Sequence, residues 1–584
     1  MKYSNIPAAQ LLVQSCKTAG IRNIIISPGS RNAPLTLSFT GDPFFSCFSI
    51  VDERCAAFFG LGIAQQKKEP VAVVCTSGSA LLNYYPAIAE AFYSNIPLVV
   101  ISADRPPYKI DVGDGQTIRQ DNVFDRHIGY SANLKMDAVH SKERLSFYQP
   151  ELLEQPQESI TAHNKSQIRT AFKIAFEHKL PIHINIPFEE PLYGLEEMNG
   201  KEGFSLALDK EDEVGIESDF ETFQKIWNSA NRKLVLIGVN PPNSVEIKYL
   251  ERLANDPSVI VFTETTSNLH HPNFFPSIDS IIFPIEKSKN SHERFLELQP
   301  EVLLTFGGLV VSKKVKAFLR KYKPQHHWHV HPTKAYDTYF ALTRHFKHEP
   351  NYFFGQLFSN GQSIEGNYLK VWDSVKKNYQ TKQLEYLKTT PFTDFKVFEM
   401  LQRTIPMGYQ VHLSNSSTVR YAQLFPLHES IPVYCNRGTS GIDGSTSTAI
   451  GGSIFCKNPT LLITGDLSFF YDSNALWNKY IKNDFRIILI NNSGGGIFRI
   501  LPGFDGSDRF ATYFETEHHL TAKNICEQFG IRYQFATDKT SLKEALSHFF
   551  ESSEKPKLLE VFTPRELNNG ILLGYFDFIS SEYR

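Results

Sequence analysis

The sequence predicts an α/β protein of three doubly wound parallel-sheet domains. Three observations carry this. Its apolar, β-branched runs are continuous rather than alternating, which suits strands buried on both faces of a parallel sheet. Each run ends in glycine or polar residues and leads into a segment with helical spacing, the signature of right-handed βαβ units. The rhythm passes three times through 584 residues, a chain too long for one core.

The elements follow in order. The opening "MKYSNIPAAQLLVQSCKTAG" reads as an amphipathic helix stopping at Gly20, not as a signal peptide. In the first third, "NIIISPGS", "FFSCFSIVDER", "VAVVCTSGSA", "PLVVISADRP" and "PIHINIP" are expected strands with their exits. The middle third supplies "KLVLIGVNPP", "SVIVFTETTSN", "VLLTFGG" and "HHWHVHP". The last third supplies "YQVHLSNSS", "IPVYCNRG", "PTLLITGD", "FRIILINNS" and "PKLLEVFTP". Two polar stretches, Glu196–Phe220 and Lys376–Phe395, are expected to be linkers, giving domains near residues 1–190, 220–365 and 390–584.

Sixty basic against sixty-two acidic residues leave a formal charge of −2, so nothing overall predicts a nucleic-acid partner. No stretch approaches the roughly 18 apolar residues of a membrane span. Seven scattered cysteines without a C-x-x-C pair argue for a reducing, cytoplasmic compartment and against a Cys-based zinc site.

The most informative stretch runs from Leu461 to Phe498. "TLLIT" delivers Asp466 to one strand exit and "RIILI" delivers Asn491 and Asn492 to another, with "SNALWNKYI" at helical spacing between them. Ligands of doubly wound sheets sit beyond such exits. A carboxylate from Asp466, an amide oxygen from Asn492 and a carbonyl from Gly494 form the oxygen set of a hard divalent cation, with phosphate and water completing it. The glycines allow a diphosphate to approach the backbone. Alone, Gly-Asp is more often a helix cap and Asn-Ser-Gly-Gly a turn; the coupled spacing favours the metal.

Gly-Asp followed at this distance by Asn-Asn resembles the thiamine-diphosphate motif, with Leu467 standing where the family usually has a third glycine. The resemblance implies thiamine diphosphate as cofactor and Mg²⁺, or Mn²⁺ in its place, as metal, with a pyrimidine-binding, a central and a diphosphate-binding domain. It assigns Leu467, Ser468 and Ser416 to the cofactor as well, Ser416 doubling as a polar contact. The superfamily also needs an acid against the aminopyrimidine ring, at a strand exit in the N-terminal third. "FSIVDERCAAFFGLGIAQ" offers Glu53 there, where an acid favoured by the helix dipole is the plainer explanation. Ile442, Ile497 and Phe498 are expected to pack against the cofactor rings. Because the two halves of each site come from different subunits in this superfamily, a homodimer or a tetramer is implied.

Within the superfamily, "SPGSRNAPLTLSF", "DERCAAFFGLGIA", "TSGSALLNYYPAIAEAFYSNIPLVVISADRP" and "NRGTSGIDGSTSTAIG" closely resemble the menaquinone-pathway synthases that make 2-succinyl-5-enolpyruvyl-6-hydroxy-3-cyclohexene-1-carboxylate. The implied donor is 2-oxoglutarate and the implied acceptor isochorismate, joined by decarboxylation and 1,4-addition. Both are dicarboxylates, which cations must hold. The resemblance gives this role to Arg31, Arg105, Arg420 and Arg437, with Lys313 and Lys314 from the middle domain and Ser30 and Gln116 as polar contacts. The family often has Lys-Arg at 313–314 and Asn-Gln at 115–116, so this chain departs at both. An acetolactate-synthase-like carboligase, sharing Glu53, Asp466 and Asn492, stays open as the alternative. His327, His329 and His331 alternate along one expected strand and are read as the polar side of an edge strand, with Trp328 and Val330 inward, rather than as a metal site.

Overall fold

The computed structural model describes residues 1–197, 220–359, 365–500 and 506–581. Most of the expected linker Glu196–Phe220 lies outside the described residues. The chain folds as two compact units. The first comprises the described part of Met1–Glu211 with Gly438–Lys457 and Phe470–Phe485; the second comprises the described parts of Asp212–Arg437 and Arg486–Arg584 with Asn458–Phe469.

The first unit is built on six parallel strands in the spatial order Ser46–Ser49, Asn23–Ile26, Val71–Cys75, Leu98–Asp104, Ile182–Pro187 and Tyr130–Asn133. The four inner strands are buried along their whole length, as the unbroken apolar runs require. The helix Pro7–Thr18, expected from the opening residues, begins with Pro at its first position, where the missing N–H costs nothing. A short antiparallel pair, Lys2–Ser4 with Leu195–Glu197, lies apart from the main sheet.

Two helices of this unit meet through glycines. A Cβ on Gly62, in the helix Glu53–Lys67, would lie 2.1 Å from the Thr448 carbonyl oxygen, and one on Gly451, in the helix Ser445–Ser453, would lie 2.0 Å from that of Phe59. Beside this crossing, the buried Asp472 accepts hydrogen bonds from Ser447 N (2.7 Å) and Ser447 Oγ (2.9 Å).

The second unit holds two sheets. Five parallel strands run in the order Val259–Phe262, Lys233–Ile237, Val302–Phe306, His326–Val330, Arg344–Phe346. Six more run in the order Val433–Tyr434, Gln410–Leu413, Thr460–Gly465, Arg486–Asn491, Lys557–Phe562, Arg532–Ala536. One apolar core joins them, with Phe283 stacked on Phe576 (4.6 Å) and Asn268 bonding both backbone groups of Val433 (2.7 and 2.9 Å).

The first and last sheets share one winding. In each, the first strand in sequence has the second on one side and the third on the other, and the last two exchange places at the far edge. The strand order therefore reverses between Asn23–Ile26 and Val71–Cys75, and again between Gln410–Leu413 and Thr460–Gly465. Such switch points leave a crevice at the carboxyl ends. In the middle sheet the corresponding place is filled by backbone: Gly308 N donates to Val239 O at 2.7 Å, and a Cβ on Gly238 would fall 1.8 Å from Gly308 O.

Four expectations change. Lys376–Phe395, read as a linker with little core, lies largely in the 22-residue helix Tyr368–Thr389, which buries Trp372, Tyr379 and Leu387. "SNALWNKYI" is a single 3₁₀ turn, Ser473–Leu476, rather than a helix. The strand His326–Val330 is interior, not an edge; Trp328 and Val330 do point into the core, but His327 is fully buried too and shares Thr305 Oγ1 with His329. In the three parallel sheets, three described strands carry no apolar run and escape the sequence reading: Tyr130–Asn133, Arg344–Phe346 and Arg532–Ala536, each at an edge of its sheet.

Candidate active site

The register of the last sheet explains how Asp466 and Asn492 meet. Gly465 pairs with Ile490 on the neighbouring parallel strand, so Asp466 leaves its strand level with Asn491, the last residue of the next, and Asn492 follows. Asp466 opens the helix Asp466–Tyr471 and is 3% exposed. Its Oδ1 accepts Leu467 N (2.7 Å), its Oδ2 accepts Gly494 N (2.9 Å) and Asn492 N (3.2 Å), and His518 Nε2 stands 3.3 Å from Oδ2. The carboxylate thus gathers the turn around itself. Gly494 has φ +146°, and a Cβ there would lie 2.7 Å from Glu515 O, so only glycine fits.

The two asparagines separate in role. Asn491 is structural, its Nδ2 donating to Glu560 Oε1 (2.7 Å) and Leu520 O (2.9 Å). Asn492, 6% exposed, donates from Nδ2 to Asp394 Oδ2 at 3.0 Å, while its Oδ1 is buried without a hydrogen-bond partner. A buried carbonyl oxygen left bare beside a carboxylate is costly unless a donor or a cation occupies the space. Among the described residues no three His, Cys, Asp or Glu side chains converge on a metal position, so a cation here would be held by amide and carbonyl oxygens as well as Asp466. Burial pushes the Asp394 carboxyl up to about 6, against the hydrogen bonds from Thr563 and Asn492 and with the charge of Asp466.

Beside this turn lie the cations of the second unit. Arg420, on the helix Ser417–Ala422, and Asp394 line a small pocket with Ser417, Gly496 and Ile497. Ser416 precedes that helix with φ +69°. Arg437 is buried and donates from Nη1 to Asn415 Oδ1 at 2.7 Å. Across from them, the carboxylate of Glu264 accepts Val311 N and Ser312 N (2.7–2.9 Å), and Asp279 accepts Ser312 Oγ, anchoring the start of the helix Lys313–Lys321. Burial pushes Glu264 up to about 7, against those backbone bonds and Arg437. Burial also lowers Arg420, helped by the neighbouring charge of Arg437 and opposed by Asp279 and Glu264.

Of the two expected lysines, Lys313 is exposed, and Lys314 pairs with Glu286 and lies over the Phe283 ring (4.3 Å). The lysine one turn further, Lys316, is half-buried in the field of Glu264, Arg437, Arg320 and Arg420. Burial lowers its affinity for the proton, opposed by the charge of Glu264 and helped by those arginines. Sequence reading passed over Lys316, Glu264 and Asp394. Lys316 lies beyond the Lys313–Lys314 pair singled out from the sequence, and Asp394 falls within the expected linker.

In the first unit, Glu53 is the first residue of its helix, behind the cap Asp52, whose side chain accepts Cys55 N at 3.1 Å. Burial raises the Glu53 carboxyl above the usual range and the adjacent Asp52 adds to it, against a bond from its own backbone. Glu53 acts electrostatically on the buried Cys75 and Tyr84, so it faces the carboxyl end of the strand Val71–Cys75.

The substrate candidates of this unit collect at the same end. A Cβ on Gly29 would meet Thr76 at 2.3 Å, so the loop carrying Ser30 and Arg31 lies against the next strand exit. Arg31 is 1% exposed, donating from Nη1 to Phe188 O (3.0 Å) and pairing with Glu190 (3.4 Å). The Arg105 side chain donates to Gly115 O (3.1 Å) rather than to Asp104, which accepts the Arg105 backbone N–H instead (2.7 Å). Gln116 is exposed and its backbone covers Gly78. Ile442, in this unit, is 37% exposed, whereas Ile497 and Phe498, half-buried, lie in the 3₁₀ turn Gly496–Ile500 of the second unit.

Residues 6–126 match the family described as thiamine pyrophosphate enzyme, N-terminal TPP binding domain, and residues 416–561 the corresponding C-terminal TPP binding domain. Over its full length the chain is 52% identical to the 2-succinyl-5-enolpyruvyl-6-hydroxy-3-cyclohexene-1-carboxylate synthase of Christiangramia forsetii, with 100% of each chain covered. The chain belongs to that synthase family. The protein of the same name from Flavobacterium psychrophilum is also 52% identical, over 99% of each chain, and that of Porphyromonas gingivalis is 36% identical, over 99% of this chain and 98% of the other. A synthase of this family is a thiamine-diphosphate enzyme, and the residues present fit that cofactor. The bare Asn492 oxygen beside the Asp466 carboxylate, at a glycine turn open to close backbone approach, is the oxygen set that a diphosphate-bound divalent cation would use. Among the described residues no helix is long and apolar enough to cross a membrane.

Proposed function

We propose that this chain joins 2-oxoglutarate to isochorismate with loss of CO₂, giving 2-succinyl-5-enolpyruvyl-6-hydroxy-3-cyclohexene-1-carboxylate in menaquinone biosynthesis. The single observation that carries the site-level reading is the buried, partnerless Asn492 Oδ1 beside Asp466, at the carboxyl ends of the neighbouring strands Thr460–Gly465 and Arg486–Asn491. Asp466, Asn492 and the Gly494 carbonyl hold Mg²⁺ or Mn²⁺, and Leu467, Ser468 and Ser416 border the cofactor. Thiamine diphosphate, when bound, supplies the carbon nucleophile that releases CO₂ from a 2-oxo acid.

Every other part of the work falls to side chains. Glu53 keeps a proton on its carboxyl against the aminopyrimidine ring, and its raised proton affinity supports that role. Ile442, Ile497 and Phe498 pack the rings and exclude water. Arg420 and Arg437, with Arg31, Arg105 and a middle-domain lysine, hold the carboxylates of the two substrates, while Ser30 and Gln116 contact them by hydrogen bonds. Lys316 is better supported as that lysine than Lys313 or Lys314. The three ranges 1–190, 220–365 and 390–584 act as pyrimidine-binding, central and diphosphate-binding domains. We take the working form to be a homodimer or a dimer of dimers, in which Glu53 of one copy serves the Asp466–Asn492 turn of another. Seven free cysteines support a cytoplasmic location.

The test is direct. The protein with thiamine diphosphate, Mg²⁺, 2-oxoglutarate and isochorismate should release CO₂ and form the coupled product. Release of CO₂ from pyruvate with a second pyruvate as acceptor would favour the acetolactate-synthase-like alternative, and no release from either acid would overturn both.

A further inference from the structure

An asparagine side chain presents nearly the same shape in either orientation, so its hydrogen-bond partners decide which end faces a ligand. At Asn492 that decision falls on one residue. Asp394 is 2% exposed, and its Oδ2 accepts the Asn492 Nδ2–H at 3.0 Å. Its other oxygen accepts Thr563 Oγ1 at 2.6 Å, and its backbone N donates to Asn568 Oδ1 at 2.9 Å. Thr563 in turn donates its backbone N–H to Asn491 O at 3.0 Å, so the carboxylate is fixed relative to the strand that delivers Asn492.

We infer that Asp394 is a positioning residue for the metal ligand Asn492, setting its amide so that Oδ1 faces Asp466 and the cation. This rests on the reading that Asn492 ligates a divalent ion. An ionised carboxylate only accepts, so it holds the NH₂ end and turns the oxygen outward. With the amide reversed, two acceptors would oppose each other at Asp394 and an N–H would point at the cation. Asp394 stands 72 positions before Asp466 in a segment without any metal motif, and the three-dimensional contact alone assigns it.

The experiment uses the full chain with thiamine diphosphate and follows Mn²⁺ binding by the electron paramagnetic resonance signal of the free ion, with the thermal midpoint of the cofactor-free chain measured alongside. Asp394→Asn and Asp394→Leu should each weaken Mn²⁺ binding roughly 10- to 100-fold, the range expected on removing the residue that orients a metal ligand. Because Asp394→Leu can disturb the fold, the deciding variant is the exchange Asp394→Asn/Asn492→Asp. It returns a carboxylate oxygen to the cation and an N–H donor to its partner, and should recover most of the affinity lost in Asp394→Asn. Unchanged Mn²⁺ affinity in Asp394→Asn, or an exchange variant no better than it, overturns the inference. Mn²⁺ binding that survives Asp466→Ala overturns the metal reading beneath it.

Discussion

Replacing Gly62 by alanine should loosen the unit that carries Glu53. In an ordinary helix the change would be favourable by about 1 kcal/mol, since glycine is the poorer helix former. Here the new methyl would lie 2.1 Å from Thr448 O and 2.7 Å from Gly452 N, more than an ångström inside normal contact with the first. Both are backbone atoms, which no rotamer change can remove, so the helices Glu53–Lys67 and Ser445–Ser453 must move apart. Overpacking of a tight core costs about 1–3 kcal/mol and occasionally more. With rigid neighbours the upper end applies, leaving a net loss of about 2 kcal/mol. For a unit of this size that corresponds to a fall of roughly 4–8 °C in its melting temperature. Gly451→Ala, facing Phe59 O at 2.0 Å, should behave alike, and the double variant should lose less than the sum, because the first methyl already parts the same pair. Gly570→Ala is the control: its helix, Leu567–Ile579, leaves nothing within 4 Å of the added carbon, and the variant should gain about 0.5–1 kcal/mol. Calorimetry reads the midpoints, and hydrogen exchange over residues 53–67 locates the loss. A Gly62→Ala protein that melts with or above the wild type, with unchanged exchange in that helix, would refute the reasoning.

The remaining predictions concern the site and its surroundings. Asp466→Ala should abolish Mg²⁺-dependent binding of thiamine diphosphate, measured by titration calorimetry, while circular dichroism stays native; normal affinity would move the metal elsewhere. Glu53→Gln should bind cofactor yet lose deuterium exchange at its C2 carbon, followed by NMR, because an amide cannot supply the carboxyl proton; undiminished exchange would remove Glu53 from the mechanism. Lys316→Met should raise the KM for 2-oxoglutarate roughly 10- to 100-fold, the worth of one charge-assisted hydrogen bond, with cofactor affinity unmoved; an unaffected KM would take Lys316 out of substrate binding. His412, buried without a charged neighbour, has its pKa lowered to about 3 by burial alone. The unfolded chain therefore binds the extra proton below pH 6.5 and the folded chain does not, so this site costs stability as pH falls. The advantage of wild type over His412→Leu should shrink by about 3 kcal/mol between pH 6.5 and 4, and parallel pH curves in urea unfolding would contradict it.

What could be read beforehand was what repeats along the chain. Strands buried on both faces write themselves as unbroken apolar runs, and Asp466 and Asn492 were legible as a pair because each closes such a run. Edge strands have one flank paired and the other open, so Arg344–Phe346 and Arg532–Ala536 mix polar and apolar residues and left no run to find. The helix Tyr368–Thr389 hid for a different reason. Its buried faces are lined by tyrosines and lysine stems, Lys376 among them, donating to Pro272 O at 2.8 Å, and composition counts these as polar. The contacts of Asp394 and Glu264 and the charges around Lys316 come from residues far away in sequence, which no local pattern encodes. The pairing of Lys314 with Glu286, 28 positions upstream, is invisible to local pattern for the same cause.

The glycine-to-glycine contact in the middle sheet bears on how this protein answers to nucleotides. Where Gly238 and Gly308 touch, the main chain has caulked the one spot at which a flavin or an adenine dinucleotide would ordinarily lodge in such a sheet. A side chain at Gly238 would act as a wedge against Gly308 O, splaying the strands without opening a berth. At that spot the five-stranded sheet closes on its own backbone and leaves no crevice between Gly238 and Gly308.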